Sequence, residues 1–177
     1  MLLVPLPWST RPWALPFLTI LAPSERATTA AKRRHKTTVD WTGQAVKAIS
    51  RWLGGRRWTL VGDGAYACVH LARLCTARSV TLISRLRLDA QLYAFPDPNA
   101  PRRRGPKPLK GKWLTALKAR VAAAVRDGTD LEIPWYGGTT RQVRVLSECC
   151  LWYTQGEPPV ALRWVLVVDP TGQEPPM

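Results

Sequence analysis

The stretch from Trp58 to Arg85 constrains the fold of this chain more than any other, because it reads as strand, turn, helix and strand with few residues to spare. Trp58-Thr59-Leu60-Val61 is a short run of β-favouring residues. Gly62-Asp63-Gly64 interrupts it, and from Tyr66 to Thr76 the apolar residues Val69, Leu71, Ala72, Leu74 and Cys75 recur at close to helical spacing. Val80 to Arg85 then returns to a strand pattern. Asp63 therefore falls at the carboxyl end of a strand, where α/β sheets bind ligands. The flanking glycines carry no Cβ, so backbone or substrate can approach the carboxylate, and Gly64 is free to take a positive φ. Two readings of Asp63 follow. It is a metal-ligating carboxylate, or it is an ordinary turn and helix N-cap residue.

The rest of the chain extends this α/β order. A strand at Leu2 to Leu6 leads through a proline-interrupted apolar segment to a polar linker, Ser24 to Lys36, and then to an amphipathic helix from about Val39 to Leu53. Together with the Trp58–Arg85 unit this is a βαβαβ sequence, which predicts a mixed sheet with helices on its faces. After Asp89 the pattern changes. A helix from about Trp113 to Arg126 carries Leu114, Leu117, Val121 and Val125. Glu132 to Tyr136, Gln142 to Tyr153 and Val160 to Val168 then read as antiparallel strands, joined at Gly137-Gly138 and Gln155-Gly156. The tail from Asp169 to Met177, rich in proline, is expected to fray.

The charge balance agrees with a nucleic-acid partner, or with a high arginine content that has no such role. The chain has 26 Lys and Arg against 12 Asp and Glu, a formal net charge of +14, as a phosphate-neutralising surface requires. Arg102, Arg103, Arg104, Lys107, Lys110 and Lys112 are concentrated in one acid-free stretch, broken by Gly105, Pro106, Pro108 and Gly111. Proline and glycine at that density forbid a regular helix. The stretch is an extended basic loop able to follow a phosphate backbone, or a solvated linker.

Other classes are disfavoured. Cys68, Cys75, Cys149 and Cys150 contain no C-x-x-C pair, and His35 and His70 do not complete a zinc spacing, so reduced thiols in a cytoplasmic protein are expected. The apolar N-terminal residues are interrupted by Arg11 and by prolines, and no continuous span is long enough for a membrane helix. Neither G-x-G-x-x-G nor the P-loop motif occurs, nor does G-x-S-x-G.

The run from Arg33 to about Trp164 resembles the catalytic domain of DDE-type transposases of bacterial insertion sequences, in their cut-and-paste branch. The matching blocks are Arg34 to Trp41, Arg51 to Arg57, Leu60 to Ala67, Val80 to Ala90, Arg104 to Lys112, Trp135 to Gly138 and Leu151 to Tyr153, all in the family's order. The resemblance implies an α/β fold: a partial ribonuclease-H-like mixed sheet with flanking helices over residues 1–90, a basic loop over 91–113, a helix and β-rich insertion over 114–170, and a frayed tail over 171–177. In that family two aspartates and a glutamate hold two divalent ions, Mg2+ or Mn2+, and Asp63 matches the second aspartate.

The other two acids have no match. Asp40 is too close to Asp63 and opens a helix near the capping candidates Thr37 and Thr38. Arg144 and Glu148 keep the family's arginine-to-glutamate interval, but Arg141 and Gln155 stand where tyrosine and lysine belong, and Val143 to Ser147 alternates like a strand. Met1 to Trp8 resembles the end of the family's third core strand. The chain is accordingly expected to be an internal piece of a transposase, lacking the first aspartate and the glutamate and inactive by itself; the alternative is a non-catalytic basic DNA-binding remnant. The implied partner is DNA at the ends of an insertion element, bound by Arg85, Arg87, Arg102, Arg103, Arg104, Lys107, Lys110 and Lys112, with a homodimer in the parent family and no membrane.

Overall fold

The computed structural model describes residues 2–4, 7–9, 12–99, 105–135 and 138–177. They fall into two compact units, Met1–Trp52 and Leu53–Met177.

In the N-terminal unit, β1 (Leu2–Val4) pairs antiparallel with β2 (Trp13–Leu15), Leu2 lying opposite Leu15. Pro5 and Leu6, expected to continue β1, lie outside the described residues. Within the stretch expected to be a linker, α1 (Glu25–Ala30) forms under the Ser24 cap, whose Oγ accepts from the Ala27 amide at 3.3 Å. Six residues with no apolar stripe leave no periodic signal, which is why the sequence reads there as linker. α2 (Thr38–Trp52) lies within a residue of its expected bounds. Its start is a reciprocal cap. The Asp40 carboxylate accepts from the Thr37 amide at 2.8 Å and hydroxyl at 2.9 Å, and Thr37 Oγ1 accepts from the Asp40 amide at 3.2 Å. Asp40 is thus a capping residue, as its place in the first turn predicts.

The C-terminal unit opens with β3 (Trp58–Gly62), a 3-10 turn over Gly64–Tyr66, α3 (Val69–Ala77) and β4 (Val80–Ser84). β3 and β4 are parallel, from Trp58 opposite Val80 to Gly62 opposite Ser84, and α3 is the crossover between them. α3 begins at Val69 rather than the expected Tyr66, because Tyr66 closes the 3-10 turn and Cys68 is extended. The helix buries Val69, Leu71 and Cys75, three of the residues whose spacing predicts it.

The remaining elements are β5 (Leu92–Tyr93), α4 (Leu117–Asp127), β6 (Thr129–Pro134), β7 (Thr140–Trp152) and β8 (Val160–Val168). β7 pairs antiparallel with β5 and β6 along one edge and with β8 along the other. β8 occupies its expected span, and β7 matches its own to within two residues. α4 starts four residues after the expected Trp113, because that residue is drawn into a bridge with Tyr93 and the Leu114 amide donates to the Leu92 carbonyl at 2.8 Å. The core consists of Leu92, Leu117, Ala124, Cys150, Trp164, Leu166 and Val168. Alternation along β8 explains it, since every second residue from Val160 is buried or partly buried.

β7 carries the arginine and glutamate of the rejected motif. Arg144 holds Asp130 in a two-pronged contact at 2.6 and 2.8 Å, and Glu148 pairs with Arg120 of α4. Both are strand residues engaged in structural ion pairs, as the alternation predicts. The tail is tied back where the sequence predicts fraying: Met177 and Val167 exchange amide-to-carbonyl bonds at 2.9 and 2.7 Å, and Asp169 caps the intervening turn through Thr171 and Glu174. The backbone of β8's outer edge provides those partners, a tertiary feature that composition does not encode. The architecture is mixed α/β, with parallel and antiparallel pairing, in keeping with a partial ribonuclease-H-like domain.

Candidate functional site

Asp63 stands at the carboxyl end of β3, as expected, but its carboxylate is occupied locally. Oδ1 accepts from the Ala65 amide at 2.9 Å and caps the 3-10 turn. Its carbonyl accepts from the Ser84 hydroxyl at the matching end of β4. The two glycines serve close approach rather than left-handed backbone: neither Gly62 nor Gly64 has a positive φ. A Cβ on Gly62 would stand 3.0 Å from Tyr66 Cδ2, and one on Gly64 would stand 3.3 Å from the Arg85 carbonyl oxygen. These two positions therefore let the Tyr66 ring fold back over the strand end and bring the turn against the start of the segment after β4.

The register places Ser84 across from Gly62, with Arg85 following it, so a hydroxyl and a guanidinium, not a second carboxylate, accompany Asp63 at the ends of the parallel pair. Two hard divalent cations need several fixed oxygen ligands. Among the described residues, no group of three or more His, Cys, Asp or Glu side chains is placed to hold a metal ion. The donor set around Asp63 does not fit a two-metal centre.

The cations assigned to DNA contact fall into three groups. Arg85 is exposed beside the Asp63 turn. Arg87 is exposed but committed to Asp89, with Nε and Nη2 at 2.8 and 2.7 Å from its two oxygens; that contact holds the Asp89 carboxyl below the usual range. Arg102, Arg103 and Arg104 lie outside the described residues. Of the rest of the loop, Lys107 and Lys112 are exposed, whereas Lys110 is half-buried with its Nζ 3.9 Å from the centre of the Tyr93 ring and 3.5 Å from that of Tyr153. The two rings meet edge to face at 5.9 Å. A cation over two π-faces is an anchoring contact.

That anchor belongs to a feature the sequence reading missed. The end of the basic loop runs back along β5: the Ala94 amide donates to the Lys112 carbonyl at 2.9 Å, the Gly111 amide to the Ala94 carbonyl at 2.9 Å, and Tyr93 bridges Trp113. A Cβ on Gly111 would stand 2.5 Å from the Phe95 carbonyl oxygen, so the close pass needs glycine there. The short aromatic-rich apolar run Leu92-Tyr93-Ala94-Phe95 is the signal that could have revealed it.

All four cysteines are free; burial pushes Cys75 and Cys150 up to about 11, leaving both protonated and inert at neutral pH.

A family model described as DDE superfamily endonuclease matches residues 1–142, and the chain belongs to that family. No curated protein and no solved structure matches it. Membership carries a general nuclease or transposase-type function and a DNA substrate, and such enzymes typically use divalent metals. No helix among the described residues is long and apolar enough to cross a membrane.

Proposed function

We propose that this chain serves DNA transposition of the insertion-sequence type, engaging DNA through its basic loop, and that taken by itself it does not cleave or join strands. Asp63 carries the reading. By resemblance it matches the family's second aspartate, and it stands at the end of a parallel strand; yet its carboxylate caps its own turn, and Ser84 at the end of the neighbour strand and Arg85 after it stand where a second acid would be needed. Two-metal phosphoryl transfer depends on carboxylates that fix the spacing of both ions. A lone carboxylate cannot do so.

The purified chain, given magnesium or manganese and DNA bearing the element's ends, is expected to show no cleavage or strand joining. Turnover abolished by Asp63→Ala would overturn this. Binding, by contrast, is expected to persist and to be driven by the phosphate backbone. With Lys110 committed to its tyrosines, Arg102, Arg103, Arg104, Lys107 and Lys112 remain; at about −0.9 per phosphate contact, the slope of log K against log salt should be roughly −4.5. Replacing the three arginines by alanine should flatten it by about 3 and weaken random and terminal-repeat duplexes alike. An unchanged slope would move the contact surface elsewhere, with Arg33, Arg34 and Lys36 the next cationic cluster.

A further inference from the structure

The ribbon formed by β5 and the end of the basic loop has two unlike faces. Leu92 is buried in the core and Leu114 packs against it. Pairing of Tyr93 with Trp113 puts these two on the opposite face, and strand alternation adds Phe95. Trp113 is 69% exposed and Phe95 49% exposed. The ribbon lies in a cationic stretch of the sequence: from Pro98 to Arg126 there are nine Lys and Arg and no Asp or Glu. Arg120 and Arg126 are taken up by Glu148 and Asp127, Lys107 and Lys112 are exposed, and Lys110 is fixed over the Tyr93 and Tyr153 rings, holding the loop end in register.

We infer that this ribbon is a binding surface for single-stranded DNA, with unpaired bases stacking on Trp113 and Phe95 while Lys107 and Lys112 meet the phosphates. Exposed rings interleaved with cations are the chemistry by which proteins hold single strands: each base offers a π-face, and the backbone offers regularly spaced negative charge. A duplex offers its phosphates to the same lysines but keeps its bases stacked on one another, so the rings distinguish the two forms of DNA. An apolar protein partner would use the rings but not the acid-free run of cations. The assignment deepens the reading of the loop as a DNA contact by naming the form of DNA held next to it.

The test compares the full chain binding oligothymidylate and a duplex of the same length, by fluorescence polarisation at one salt concentration. Trp113→Ala and Phe95→Ala should each weaken oligothymidylate binding by about tenfold or more and leave duplex binding unchanged. Trp113→Phe, which keeps a ring, should stay within about twofold of the parent. Lys107→Ala with Lys112→Ala should weaken both DNAs. Equal losses on both DNAs for the ring variants, or no loss on either, would overturn the stacking surface. Lysine variants that bind both DNAs as the parent does would instead defeat the loop reading, while the ring variants still decide this one. Circular dichroism of each variant checks the fold, and the exposure of both side chains means that neither substitution removes core packing.

Discussion

The C-terminal unit contains two β-structures built on opposite plans. In the antiparallel sheet, β6, β7 and β8 are consecutive in the chain, β7 pairs along both of its edges, and α4 packs against it, so that Trp164, Leu166, Val168, Cys150 and Leu117 form one core. The parallel pair, β3 and β4, is joined only through α3, and its residues divide by face. Val80 is buried and Leu60 and Leu82 partly so, while Val61 and Ile83, directly opposite one another, are 64% and 54% exposed. Parallel sheets are normally covered on both faces. Asp63 thus lies on the more thinly framed of the two structures, and the larger buried cluster belongs to the other.

If that contrast is right, the largest loss of stability comes from the antiparallel core. Trp164 is almost fully buried, and the Arg120 guanidinium lies 5.3 Å from its ring centre. Trp164→Ala should cost about 3–5 kcal/mol in urea or thermal unfolding, the range for emptying a large aromatic from a core. A loss under about 1 kcal/mol would mean that this sheet is not the stabilising structure.

A smaller effect sharpens the comparison at the parallel pair. Asp63→Ala removes the acceptor of the Ala65 amide and should cost about 1 kcal/mol, as losing a helix-type cap does. The sign discriminates between roles. An unpaired carboxylate held for metal would make its removal neutral or stabilising in metal-free buffer, whereas a cap makes it destabilising under the same conditions.

The smallest effect is at the exposed face. Val61→Thr and Ile83→Thr together should change stability by no more than about 0.5 kcal/mol, because little apolar area leaves water there on folding. A loss several times larger would show that this face is covered in solution, and the comparison would fail.

Much of this was legible before folding. The β8 span Val160–Val168, the α2 helix with its Thr37–Asp40 cap and the order of strand, turn, helix and strand from Trp58 to Ser84 each follow from periodicity or from residues a few positions apart. Glu148 is set aside because Arg141 and Gln155 stand where the motif needs tyrosine and lysine and because Val143 to Ser147 alternates like a strand, and it does lie on β7. The basic character of the Arg102–Lys112 stretch was likewise written in composition.

What the chain could not declare locally was which distant partner each group would take. As a sequence position Asp63 fits a metal ligand or a turn cap; the fold adds the 3-10 turn that brings the Ala65 amide to its carboxylate and the parallel register that sets Ser84 beside it. Lys110 reads as one of six loop cations until Tyr93 and Tyr153, separated by sixty residues of sequence, close around it. Trp113 belongs to the helix by periodicity, but the backbone of β5 competes for it and wins. In each case the local preference is worth a fraction of a kcal/mol to about one, small enough for a hydrogen bond or ring contact from elsewhere in the fold to override. Periodicity determined the longer elements, α2, α3, β7 and β8; contacts between residues far apart in the chain determined the start of α4, the pairing of β5 and what the side chains do.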